Sequence, residues 1–154
     1  MKSQMIGNWQ VSNFIKLSGI NYVKLYSMVL PCLYISPTES MGRGVFTNAD
    51  IEKGVVVEVS PVIVMSKEER KILDQTLLHD YIFEWGEKKQ ECCMALGYVA
   101  VYNHSYKSNC EYEMNFADLV ISIKTMRYIR AGEELFINYN GDWNNQKKVW
   151  FDAR

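Results

Sequence analysis

Three short segments of this 154-residue chain carry residue types suited to gripping a small polar ligand. The first is Gly42-Arg43-Gly44-Val45-Phe46, followed by Ile51-Glu52-Lys53-Gly54. The second is Asn103-His104-Ser105, with Asn109 four residues after Ser105. The third is Gly132-Glu133-Glu134-Leu135-Phe136-Ile137-Asn138-Tyr139. Gly42 and Gly44 let the backbone approach a ligand closely and adopt conformations closed to other residues. Asn103 offers donor and acceptor in one side chain, which suits a ligand carrying both. A lone histidine is more often a satisfied structural residue than a catalyst, so His104 reads as scaffold and ligand holder rather than general base. Asn109 reads as a side chain that bonds loop backbone. Each segment alone also has a plain reading: a hairpin turn for the glycines, a strand residue for Tyr139, and core aromatics for Tyr81 and Tyr98.

The elements that must position these residues are mostly short strands. Residues 32–36 form a short apolar run, and 37–44 a turn-rich loop ending at Gly42-Arg43-Gly44. The β-branched runs 55–59 and 62–65 fit two strands separated by Pro61. Ser66 with Glu69 three positions later makes a capping box, and Ile72, Leu73, Leu77 and Leu78 share the face of the helix it opens. Residues 98–102 are a short apolar run before the polar stretch 103–109. Leu119, Ile121 and Ile123 alternate with smaller or polar positions, as in a half-buried strand. Arg130-Ala131-Gly132 is a turn, and 135–139 is a further strand.

Taken in order, about 60 and 30 residues apart, the three segments resemble the SET-domain signature of G-x-G, N-H-S-x-x-x-N and G-E-E-L-x-x-x-Y. Over roughly residues 31–143 the chain is similar to SET-domain protein-lysine methyltransferases, above all to the small viral and bacterial SET proteins that are little more than the bare domain. The resemblance implies a mostly β, β-clip-like fold of several small curved sheets with few helices. The 103–109 segment and the carboxyl end would meet in a pseudoknot. It divides the chain into an extension (1–30), the SET domain (31–143) and a closing segment (144–154).

The same resemblance implies methylation of a lysine side chain in a protein, a histone or histone-like substrate among the candidates, with S-adenosyl-L-methionine as cofactor. It gives Gly42, Arg43, Gly44, Val45, Asn103, His104, Tyr139 and Trp143 to the cofactor, and Tyr81, Tyr98 and Trp143 to the substrate lysine channel. Tyr139 falls beside the methyl-transfer centre. A free lysine titrates near 10.4, so it must lose its proton before attack. Desolvation and a neighbouring positive sulfonium both favour the neutral amine. A tyrosine hydroxyl contributes there by aligning amine and methyl rather than by moving a proton. Aromatic channel walls exclude water yet tolerate a cationic amine.

Two departures from the family stand out. No cysteine follows Cys110, so the zinc segment that closes many SET sites is replaced, with Trp143, Trp150 and Phe151 as an aromatic lid. Nor does a cysteine-rich region precede the domain. Non-catalytic alternatives are a SET-like module that binds S-adenosylmethionine or a protein tail, and an interaction protein of the same fold.

Length and composition set the outer bounds. The chain suits one compact domain, and a hydrophobic share of 48% supports an ordinary core. Seventeen Lys+Arg against eighteen Asp+Glu give a net charge of −1, so direct nucleic-acid binding is not expected. Glu84, Glu87, Glu111, Glu113 and Asp118 read as a solvated face, or as a groove for a basic peptide. Cys32, Cys92, Cys93 and Cys110 lack metal-ligand spacing and read as reduced, packed thiols, with no metal expected. The apolar stretch 25–35 is interrupted by Ser27 and Pro31 and is too short to span a bilayer. The expectation is an intracellular, soluble protein, cytoplasmic if bacterial, acting on a protein or peptide. The small viral relatives imply a homodimer.

Overall fold

The β-branched run that begins at Val55 organises the domain. The computed structural model describes residues 27–149 and, by backbone alone, the antiparallel pair β1 (Phe14–Ile15) and β2 (Val23–Lys24). Next in the chain come β3 (Met28–Val29), β4 (Leu33–Pro37), β5 (Arg43–Thr47) and β6 (Val56–Met65). The helix α1 (Lys67–Leu73) and a 3-10 helix (Leu77–Tyr81) then lead to β7 (Phe83–Trp85) and β8 (Glu91–Ala95). A second 3-10 helix (Val99–Val101) precedes β9 (Asn103–His104), β10 (Cys110–Asn115), β11 (Val120–Thr125) and β12 (Glu134–Ile137). The result is the mostly β, multi-sheet architecture that the sequence led us to expect.

One sheet runs β10-β11-β6-β8-β7, with β3 also paired to β6, and a second runs β4-β5-β12-β9. In place of two strands broken at Pro61, β6 is one ten-residue strand that changes partner there. Its first half pairs with β11 as far as Val120↔Pro61, and its second half pairs with β8 from Val62↔Ala95 onward. Proline supplies no N–H, so the point where one ladder ends and the next begins is where it does least harm.

Alternation along the strands fills the core. Leu135 and Ile137 of β12 are fully buried, while Glu134 and Phe136, which alternate with them, are half-buried. Val57, Ile121, Ile123, Ile129, Val45 and Val99 pack with them at 0% exposure, and each such side chain is worth about 1.5–3 kcal/mol of transfer free energy. All four cysteines are free and buried among these residues, and burial pushes the Cys93 thiol up to about 12.

The capping box at Ser66 forms: its Oγ accepts from the Glu69 N–H at 3.3 Å, and the Glu69 carboxylate accepts from the Ser66 N–H at 2.8 Å. The helix it opens is shorter than its apolar face suggests. Asp74 caps it after Leu73, and Thr76 starts a separate 3-10 turn by accepting from the Leu78 N–H. Ile72 and Leu77 are left 66% and 77% exposed, because nothing among the described residues packs over them. Among the described residues, no helix is long and apolar enough to cross a membrane.

Ile123→Ala should cost about 2–5 kcal/mol by opening a cavity in β11. Ile63→Ala, at a position 52% exposed on the same sheet, should stay within about 0.5 kcal/mol. Urea unfolding of the two variants checks the pair.

Candidate active site

The second sheet brings the three chemistry-bearing segments together. β9 lies parallel to β12, with Asn103 opposite Phe136 and His104 opposite Ile137, while β5 flanks β12 on its other edge. The Asn103 side-chain N–H groups donate to the Arg43 carbonyl at 3.1 Å and to Glu134 Oε1 at 2.7 Å. One amide therefore ties segments 60 and 31 residues away in sequence. Burial raises the Glu134 carboxyl above its usual range, and the Asn103 bond works against that rise. Asn109 secures the same strand: its Nδ2 donates to the Glu134 carbonyl at 2.8 Å, and its Oδ1 accepts from the Phe136 N–H at 2.7 Å.

The two glycines of the first segment do different work. A Cβ on Gly44 would overlap the Glu134 carboxylate and stand 3.0 Å from Asn103 Nδ2, so any larger residue here would force the Glu134 side chain to move off its Asn103 bond. Gly42 has φ +73° and open space where its side chain would stand. Val45, next along, is fully buried in the core, and Arg43 is exposed.

His104 is buried, and its Nδ1 accepts from the Tyr139 N–H at 3.1 Å, which places the ring proton on Nε2. Burial holds the imidazole below its ordinary 6.5, so it stays neutral. Its ring packs edge-on against Tyr106 at 4.6 Å and tilts against Tyr139 at 5.2 Å. The Tyr139 hydroxyl donates to the Tyr102 carbonyl at 2.9 Å. Burial, reinforced by Asp80 and Tyr81, pushes this phenol up to about 12, so near neutral pH it keeps its proton.

Tyr139 lines a cavity of about 700 Å³. Tyr81, Phe83, Val99, Tyr112 and Met114 supply its apolar wall, and Asp80 and His79 stand at its polar side. Three acidic residues there (Asp74, Asp80 and Glu84) are balanced by three basic ones (Arg70, Lys89 and Lys147), and Arg70 lies within ion-pair distance of both Asp74 and Glu84. Of the acidic residues that the sequence offered for a basic-peptide groove, only Glu84 is in this wall.

Tyr98 and Trp143 are not among the lining residues. Tyr98 packs against the hydrophobic core, and Trp143 is 39% exposed, its carbonyl accepting from Ser108 Oγ at 2.8 Å. Tyr112 and Met114 were missed from sequence, although the two-residue alternation of β10 would have put them on one face with buried Cys110. The Tyr112 hydroxyl reaches the Tyr139 carbonyl at 3.5 Å.

Residues 138–149 fold back over 105–108. Asn138 Nδ2 donates to the Asn145 carbonyl at 2.7 Å and Asn140 Nδ2 to the Lys147 carbonyl at 2.6 Å. Gln146 Nε2 donates to the Tyr106 carbonyl and the Val149 N–H to the Tyr106 hydroxyl, both at 3.0 Å. Asn140, Gly141, Asn145 and Lys147 thereby wall one side of the cavity. Among the described residues, no cluster of His, Cys, Asp or Glu is placed to hold a metal ion. Trp150 and Phe151, expected in the lid, lie outside the described residues.

The SET domain family profile matches residues 42–140, which spans all three segments and the cavity-lining Tyr81, Tyr112 and Tyr139. The chain belongs to the SET-domain family. It is 38% identical over 121 residues to a Schizosaccharomyces pombe protein named histone-lysine N-methyltransferase, H3 lysine-37 specific, covering 78% of this chain and 77% of that one. Its fold is similar to the crystal structure of a Plasmodium falciparum protein assigned as a histone methyltransferase. That match has a TM-score of 0.57 and 27% identity, and covers 75% of this chain and 98% of the other. This SET domain is a protein-lysine N-methyltransferase that takes its methyl group from S-adenosylmethionine.

Stability carried by neutral His104 should be fully present above about pH 6.5 and lost progressively as pH falls from there to the lower value of the buried ring. The unfolded chain takes up a proton there that the buried ring resists. Urea midpoints of wild type and His104→Gln at pH 7.5 and 5.5 check this: only the wild type should lose this share of its stability. Gly44→Ala should cost about 1–3 kcal/mol by overpacking, and less in a Glu134→Ala background, as a double-mutant denaturation series would read.

Proposed function

We propose that this SET domain methylates a lysine of a histone or histone-like protein, with Tyr139 at the reaction centre and Tyr81 in the lysine channel. The observation that carries this reading is the Tyr139 phenol, anchored on the Tyr102 carbonyl at 2.9 Å in the wall of an aromatic cavity. A phenol kept protonated up to about 12 cannot act as a proton acceptor through its phenolate at neutral pH. Having donated its own proton to Tyr102, it still offers oxygen lone pairs to an incoming amine N–H. Its contribution is therefore orientation. Tyr81, Phe83 and Tyr112 exclude water around the amine and favour its neutral form. Tyr98 and Trp143, the other channel residues suggested by resemblance, have less support, since neither lines this cavity.

The residues beside Asn103 fit the amino-acid end of the cofactor. Both Nδ2 hydrogens of Asn103 are engaged, by Arg43 and Glu134, so what its amide has left to offer is the acceptor Oδ1, suited to an ammonium. Exposed Arg43 supplies a positive charge suited to a carboxylate, and Gly42 leaves space for close approach. His104 holds the backbone of Tyr139, and Gly44 and Val45 hold the strand from within. Bound S-adenosylmethionine supplies an electrophilic methyl group on a sulfonium.

The histone reading rests on the relatives' names, because the charge-balanced cavity wall does not by itself single out a basic peptide. We further propose an intracellular protein that acts as a homodimer without binding nucleic acid directly. In this arrangement residues 31–143 form the catalytic domain, 144–154 close it, and 1–30 are an extension.

Transfer from radiolabelled S-adenosylmethionine to histones and to a cell lysate tests the proposal. Wild type should label lysines, with histone H3 tried first. Tyr139→Phe should lower kcat by about tenfold or more, the effect of losing one orienting contact of about 1.4 kcal/mol or more, with cofactor affinity within about twofold. Unchanged turnover in Tyr139→Phe would remove that residue from the reaction centre.

A further inference from the structure

Behind the Tyr139 phenol lies a buried carboxylate that the transfer described above does not use. Glu58, midway along β6, has 0% exposure. Its Oε1 accepts three hydrogen bonds: from Ser60 Oγ at 2.6 Å, the Tyr98 N–H at 2.7 Å and the Val99 N–H at 3.2 Å. Burial raises the carboxyl while these donors pull it down. A buried carboxyl is costly to keep, and this one is closely fitted. A Cβ on Gly97 would overlap both Glu58 and Ser60, so Gly97 is required by their approach.

The two N–H groups that Glu58 holds open the 3-10 helix Val99–Val101. The residue at its N-cap, Tyr98, makes no side-chain capping bond, so a carboxylate forty residues earlier does the capping instead. The residue at the other end of this single turn is Tyr102, whose carbonyl accepts the Tyr139 hydroxyl. The Tyr102 phenol, itself 1% exposed, adjoins the same Glu58 carboxylate without a hydrogen bond of ordinary geometry. Val99, between them, has 0% exposure. One rigid turn thus separates the carboxylate from the oxygen that aims the phenol.

We propose that Glu58 is a positioning residue for methyl transfer: by capping the Val99–Val101 turn it fixes the Tyr102 carbonyl, and through it the Tyr139 hydroxyl. This rests on the placement of Tyr139 at the reaction centre. A role in folding alone would weaken the enzyme whatever stands at position 139, whereas a role through the hydroxyl needs the hydroxyl to be there.

A double-mutant cycle separates the two. Steady-state methyl transfer and calorimetric cofactor binding are measured for Glu58→Ala, Glu58→Gln, Tyr139→Phe and Glu58→Ala/Tyr139→Phe. Glu58→Ala should lower kcat by about tenfold with cofactor affinity within about twofold, and by less than about twofold when Tyr139→Phe is already present. Glu58→Gln, which keeps an acceptor for the same N–H groups, should recover most of the loss. Equal losses in both backgrounds, or a loss confined to KM, would overturn the inference. If Glu58→Ala shows no cooperative melt, Ser60→Ala serves in the same cycle, with a kcat loss of about threefold expected only when Tyr139 is present. Full turnover by Tyr139→Phe itself would overturn the reaction-centre reading and this inference with it. A slow Tyr139→Phe with independent losses would overturn this inference alone.

Discussion

Two parallel neighbouring strands cannot be joined by a tight turn, and β9 and β12 are such a pair. The chain between them leaves the sheet and builds the β10–β11 hairpin in the other sheet before returning. The parallel contact at Asn103↔Phe136 and His104↔Ile137 is therefore where the chain rejoins the second sheet after that excursion. The Asn103 and Asn109 amides reinforce that contact from the side-chain direction, and Gly44 lets β5 close on it. Tyr139 emerges two residues beyond the paired stretch, so its place is set by this register. A one-residue slip would turn Leu135 and Ile137 out of the core and move the phenol with them.

The site so formed works with neutral groups. His104 is held uncharged, and Tyr139 and Tyr112 are phenols pushed up to about 12. The charged side chains around the cavity offset one another, three against three. Such a site suits a reaction whose nucleophile must be uncharged and whose electrophile brings its own positive charge. With Tyr139 in its proposed role, fixed dipoles would aim the reactants and no ionised side chain would have to change state.

What could be read from the sequence was chemistry set by local spacing. The capping box at Ser66 and the alternation at Ile121 and Ile123 depend on neighbours a few residues away, whereas Asn109 bonds the backbone of β12 rather than that of its own loop. What escaped depended on distant chain. Gly44 looked like a ligand-facing glycine, yet it already answers to Glu134, ninety positions on. Pro61 looked like a strand break because the sequence does not reveal that one strand serves two ladders. The apolar face through Ile72 and Leu77 promised a longer packed helix, but no element among the described residues covers it. The resemblance offered Tyr98 for the channel, while the turn capped by Glu58 packs it against the core.

The fold-back of residues 138–149 has an energetic character of its own. It is fastened by neutral hydrogen bonds, from Asn138, Asn140, Gln146 and the Val149 amide. The first two lie within the segment, and its hold on the rest of the domain runs through the Gln146 and Val149 bonds to Tyr106 and the Ser108 bond to the Trp143 carbonyl, each worth about 0.5–1.5 kcal/mol net. Val149 and Asn138, both buried, add packing to that hold. Its grip is set by amides, whose strength hardly varies with pH or with the redox state of the surroundings.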